Sequence, residues 1–72
     1  AAPYVQVGAF GEAANASAAA ALFRAKGLPV AEFGAGRLTR VLLGPFADLT
    51  AARDARDLAA GSGFADAYVT VQ

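Results

Sequence analysis

Val5-Gln6-Val7-Gly8-Ala9-Phe10 and Val41-Leu42-Leu43-Gly44-Pro45-Phe46 are the two stretches on which the reading of this chain turns. Each is a short apolar run ending in glycine and then phenylalanine, and each leads into an alanine-rich segment. Gly8 and Gly44, Phe10 and Phe46, Leu22 and Leu58, and Gly27 and Gly63 all stand 36 positions apart, so the chain is an internal two-fold repeat. The repeating unit reads as strand, helix, strand. Val5 and Val7 alternate with Tyr4 and Gln6 as in a half-buried strand. From about Glu12 to Lys26, Ala16, Ala19, Leu22 and Phe23 share one helical face, with Gly27 placed to end the helix in a left-handed conformation. Leu28 to Phe33 reads as a second strand, Gly34-Ala35-Gly36 as its turn and Leu38 to Leu43 as a third strand paired with it in a hairpin. Asp48 or Thr50 can cap a second helix with Ala51, Ala52, Ala55, Leu58, Ala59 and Ser62 inward, ending before Gly63. Ala67 to Val71 supplies a fourth strand.

Two such units, joined by right-handed crossovers and a central hairpin, interlock into one antiparallel sheet. The expected architecture is α+β, ferredoxin-like β-α-β-β-α-β, with both helices on one face. Residues 1–72 are read as a single domain, since a chain this short buries only about 60% of its unfolded surface and supports one core. The 57% hydrophobic content is high, but much of it is alanine, so the core should be thin and closely packed. Alternation assigns Val5, Val7, Val41, Leu43, Val69 and Val71 to the core side. Tyr4, Gln6, Gly8, Leu38, Arg40, Leu42, Tyr68, Thr70 and Gln72 then fall on the bare side, an amphipathic platform rather than an ordinary solvated face.

Composition narrows what such a platform can do. Without cysteine or histidine the chain has neither the commonest soft metal ligands nor a thiol nucleophile nor a side chain titrating near neutrality, so no metal and no cofactor are expected. Six basic and six acidic residues cancel, which argues against nucleic acid and against an anionic membrane surface as partners. The longest apolar run, Ala18 to Phe23, is far below the roughly 20 residues of a membrane span, so no membrane contact by this domain is expected. The opening Ala1-Ala2-Pro3-Tyr4 reads as the start of a domain within a longer protein.

With Val5 to Phe10, Arg40 to Phe46 and Asn15-Ala16 at the opening of the first helix, the sequence resembles the SPOR domain, the sporulation-related repeat. That pattern is a Val-Gln-Val-Gly-Ser/Ala-Phe strand and a later Arg-Val-x-x-Gly-Pro-Phe strand, and the resemblance covers essentially the whole chain. Leu28-Pro29-Val30 after Gly27, and Gly63-Phe64-Ala65-Asp66-Ala67-Tyr68-Val69, look most like the C-terminal SPOR domain of lytic transglycosylases of the rare lipoprotein A type. The resemblance implies non-catalytic binding of peptidoglycan glycan strands lacking stem peptides, in the periplasm or cell envelope at the septum; the complete β-α-β repeat and the lack of ligand residues point to a monomer. By position it points to Gln6, Gly8, Ala9, Phe10, Leu38 and Arg40 as the glycan platform, and the open-face reading adds Tyr68 and Thr70. Ala9 stands where serine is common and loses a hydroxyl donor; Leu42 stands in a slot that is often polar.

Plainer roles compete for several of these residues. Gly8, Gly44 and Pro45 also read as strand-end punctuation, and Phe10 and Phe46 as core plugs beneath the helices, with Phe10 able to touch a ligand from its edge. Arg53, Asp54, Arg56 and Asp57 read as a solvated helix face carrying an Arg53–Asp57 pair. Arg40 and Gln6 have no structural task at a sheet centre that a threonine could not perform. Their chemistry suits a sugar acid, because an amide meets hydroxyl and N-acetyl groups while a guanidinium grips a carboxylate in two parallel bonds. Leu38 and Tyr68 would pack against sugar C–H faces.

Other classes fit less well. An acylphosphatase shares the architecture but needs an arginine just past the phenylalanine, where this chain has Gly11. An RNA-binding sheet needs stacked aromatics on its central strands, where this chain has Leu38 and Leu42. A protein-binding or small-molecule regulatory module of the same fold is the alternative that stays open.

Overall fold

A computed structural model describes residues 1–72 in full. The elements run β1 (Pro3–Phe10), α1 (Ala13–Ala25), β2 (Val30–Ala35), β3 (Leu38–Leu43), α2 (Leu49–Gly61) and β4 (Tyr68–Val71). They form one antiparallel sheet in the order β2-β3-β1-β4. Each strand–helix–strand unit is split by a strand of the other, which is the ferredoxin-like α+β arrangement.

Alanine has the highest helix propensity and, being small, lets both helices lie close on the sheet. The buried cluster contains eleven residues, of which six are alanines; Val5, Val7, Val41, Leu43 and Phe23 supply the bulk. Phe10, Leu28, Val30, Phe46, Phe64 and Val69 pack around its margin. The Phe64 ring meets Phe23 at 5.2 Å between centroids, tilted by 57°, which closes the core beneath both helix ends.

The repeat is visible in the helix caps. At the end of α1 the amide of Leu28 donates to Phe23 and that of Gly27 to Arg24; at the end of α2 Phe64 donates to Ala59 and Gly63 to Ala60. Both are Schellman closures, and Gly27 (φ +81°) and Gly63 (φ +99°) supply the positive φ they require. Of the two candidate caps for α2, Asp48 is the one used, accepting from the Ala51 amide at 2.8 Å.

Several local expectations are corrected. β2 begins at Val30 rather than Leu28, because Leu28 is committed to the α1 cap. The hairpin turn is Gly36-Arg37 rather than Gly34-Ala35-Gly36, since Ala35 pairs with Leu38 and Gly36 alone takes a positive φ, +63°, as a two-residue turn with glycine first requires. Val71, assigned to the core side by alternation, is 58% exposed as the last residue of β4, an edge strand. Leu22 and Leu58, repeat partners, are each about two-fifths exposed at the flanks of their helices rather than inward. Arg56, not Arg53, bridges Asp57, at 3.1 Å on the solvated face.

Candidate functional site

The sheet has one covered and one uncovered face, and the pairing register shows which side chains occupy the uncovered one. β1 opposes β3 as Val5–Leu43 and Gln6–Leu42, then slips by one so that Gly8 lies opposite Val41, Ala9 opposite Arg40 and Phe10 opposite Thr39. Val7 and Gly8 together oppose Val41, which is a β-bulge. The bulge resets the alternation, and this corrects the placement of Gly8. Gly8 faces the helices, where a Cβ would stand 2.8 Å from Cζ of Phe10. Ala9 takes the outward position beside Arg40 instead. Phe10 packs against the core margin on the helix side, so of the eight residues the sequence nominates, Gly8 and Phe10 lie off the uncovered face.

The other six come together. Across the sheet, Phe33, Arg40 and Ala9 form one row; Ala31, Leu42, Gln6 and Tyr68 form the next; Tyr4 and Thr70 follow. Leu38, opposite Ala35, closes the far end. At the centre Arg40 donates from Nε to Oε1 of Gln6 at 2.8 Å. Arginine has no acceptor, so this contact turns the Gln6 oxygen inward and leaves the amide N–H groups free. No other side-chain hydrogen bond uses either residue. The centre of the face therefore offers a surplus of donors, the Nη groups of Arg40 and the Nε2 group of Gln6, against one acceptor position left on the Gln6 oxygen.

Arg40 is also the one charged residue among the outward side chains of the strands. Glu32 faces the helix side, where it meets Arg24 of α1 at 3.5 Å. The other acids stand at caps, on α2 or in the turn before β4. No group of three or more acidic side chains is close enough to hold a metal ion, and no acidic pair faces another across a cleft on this surface.

Leu42 departs from expectation. It points to the uncovered side, yet it is fully buried and stands apart from the helix-side core. Its neighbours in the sheet are Gln6, Ala31 and Arg40, with Tyr4 one row on. The ring of Tyr4 lies against Gly44, where a Cβ would be 2.8 Å from Tyr4 Cδ2 and 3.1 Å from the Pro3 carbonyl oxygen. The polar pair thus stands beside a small apolar plug. Leu38 (44%) and Tyr68 (50%) remain well exposed on either side. Phe33, opposite Arg40 and 41% exposed, belongs to the same surface and is absent from the sequence-based set. The signal that finds it is the β2–β3 register, which depends on the true turn.

The concavities of the molecule lie elsewhere. One of about 510 Å³ is lined by Phe10, Ala19, Leu22 and Phe64, and a second of about 320 Å³ by Phe46, Ala55, Leu58 and Leu28. These residues are related by the 36-residue repeat, so the grooves are one feature occurring twice, once beside each helix. The uncovered face itself is open, a shape that suits an extended polymer better than an enclosed small molecule.

Comparison with known proteins agrees with this architecture. The chain is similar over its whole length to the peptidoglycan binding domain of the B. subtilis cell wall lytic enzyme CwlC, whose solution structure superposes with a TM-score of 0.82 at 33% identity, covering 100% of this chain and 91% of that one. A search of curated proteins returns no match. The family model for the SPOR domain matches residues 1–70. With the split repeat, the uncovered sheet and that match in agreement, the chain belongs to the SPOR domain family.

Proposed function

We propose that this domain binds peptidoglycan without catalysis, recognising glycan strands that lack stem peptides and so directing a parent protein to septal wall in the periplasm or envelope. The binding domain of a lytic enzyme among its structural neighbours supports the ligand class. The observation that carries the finer reading is the donor-rich pair at the centre of an open face, Arg40 Nε bonded to Gln6 Oε1 with the Arg40 Nη groups and the Gln6 amide N–H groups left without a side-chain partner. Such a centre accepts carboxylate and carbonyl oxygens. Denuded muramic acid supplies both, a free lactyl carboxylate and an N-acetyl group. In intact strands the carboxylate is consumed in the amide to the stem peptide, which removes its charge and sets a bulky chain where the guanidinium must reach. Gln6, Ala9, Leu38, Arg40, Tyr68 and Thr70 form the contact surface. The domain acts as a monomer and a single unit.

Purified sacculi test this directly. Binding to amidase-treated strands should exceed binding to intact strands by at least about tenfold, about 1.4 kcal/mol, because a charge-assisted bond is worth roughly 1.5–3 kcal/mol. Chitin oligosaccharides, which lack the carboxylate, should bind weakly. Equal binding of chitin and denuded strands of equal length would show that Arg40 does not read the carboxylate. A small-molecule or protein-binding module would instead engage a helix-side groove and ignore sacculi.

A further inference from the structure

Five phenylalanines occur in the chain. Phe23 is wholly buried, and Phe10, Phe46 and Phe64 pack against the same core. Phe33 alone has no place in it. It sits on β2 at the sheet edge, with no aromatic partner within stacking reach. A single exposed apolar side chain needs no explanation, but Phe33 is not single. It lies directly opposite Arg40 and diagonally from Leu38, 44% exposed, on the face that no helix covers.

We propose that Phe33 is a specificity-determining residue of this surface, a stacking platform for a hexopyranose ring whose equatorial oxygen substituent is held by Arg40. The inference rests on the glycan reading above and extends the site onto β2. Its physical basis is the shape of the sugar. A pyranose presents C–H groups on its flat faces and carries its equatorial oxygens in the plane of the ring, so a ring laid on Phe33 sends those oxygens sideways along the sheet. Directly opposed residues on antiparallel strands stand about 4.5–5.5 Å apart at Cβ. That spacing sets Arg40 beside Phe33, and its Nη groups, left free by the Nε bond to Gln6, are the charged donors such a substituent would reach. A flexible peptide would not satisfy both requirements at once, because it has no rigid apolar face with acceptors fixed in its plane. Phe33 and Tyr68 stand on opposite edge strands with the donor pair between them. Stacking at Phe33 would thus set the strand's path across the sheet, from β2 toward β4.

The chain has no tryptophan, so Phe33→Trp introduces a single reporter at the proposed contact. Titrating F33W with amidase-denuded glycan strands should retain affinity and shift the indole emission to shorter wavelength as a sugar ring excludes water. Phe33→Ala should weaken binding to the same strands about tenfold, with a melting temperature within a few degrees of wild type. Unchanged affinity in Phe33→Ala, or indole emission indifferent to saturating strands, overturns the proposal. Loss of binding in Arg40→Ala alongside full binding in Phe33→Ala would overturn it while leaving the glycan reading intact. Failure of the wild type to bind denuded strands overturns both. If sedimentation shows that wild type self-associates and Phe33→Ala does not, the residue is a contact between copies and the proposal is wrong.

Discussion

Two leucines on β3 point to the same side of the sheet, and their substitution by alanine should have opposite consequences. Leu42 is fully buried and Leu38 is 44% exposed. Truncating a buried leucine removes its transfer free energy and leaves a cavity, at a cost of about 2–5 kcal/mol. Leu42 has backbone-anchored neighbours on β1 and β2, Gln6 and Ala31, that cannot collapse into the space, so about 3 kcal/mol is the central expectation for Leu42→Ala. For a domain of this size each kcal/mol lowers the melting temperature by about 4–8 °C, giving a fall of about 12–24 °C. Total stability at 72 residues is about 4–11 kcal/mol, so the variant should stay folded in the cold and remain measurable. Leu38→Ala should cost only about 1 kcal/mol, the share of its side chain that is covered. Binding should separate them the other way. At a temperature where both are folded, Leu38→Ala should lose affinity for denuded strands through a missing contact, while Leu42→Ala should lose it only as far as the Gln6–Arg40 pair loosens. The assay is urea unfolding with a check that the slope is unchanged, followed by strand binding in the cold. If Leu42→Ala melts within a few degrees of Leu38→Ala, the plug beside the polar pair is not packed and the account of this face fails.

Gly44→Ala should destabilise more than Gly8→Ala, by about 1–3 kcal/mol for the positive φ of +127° alone, since the new Cβ also meets the fixed Pro3 carbonyl, whereas at Gly8 it meets only the ring tip of Phe10; thermal melts of the two compare them. Gln6→Glu should bind denuded strands more weakly than Gln6→Ala, because a carboxylate beside Nε neutralises Arg40 for any anionic ligand, and its melting temperature should stay close to wild type. Arg40→Ala should likewise bind poorly yet melt almost normally, while Val41→Ala, next to it and wholly buried, should cost a kcal/mol or more; the reverse pattern would mean the faces of the sheet are exchanged.

Element order, the 36-residue repeat and the inward sides of β1 and β3 at Val5, Val7, Val41 and Leu43 were legible in the sequence, because alternation and helical spacing are properties of one strand or one helix at a time. So were Gln6, Leu38, Arg40, Tyr68 and Thr70 as outward residues. What only the tertiary structure decided depends on two strands at once. A bulge exists only in a pair, and the one at Val7–Gly8 turns Gly8 inward and brings Ala9 beside Arg40. Phe33 meets Arg40 because the hairpin turns at Gly36-Arg37; a turn at Gly34 to Gly36 would have set it against Arg37. Leu42 reads as exposed by alternation, and its burial comes from its neighbours on the uncovered face rather than from any helix. The donor-rich centre, finally, follows from a bond between residues 34 positions apart, and no local pattern encodes which way an amide will turn.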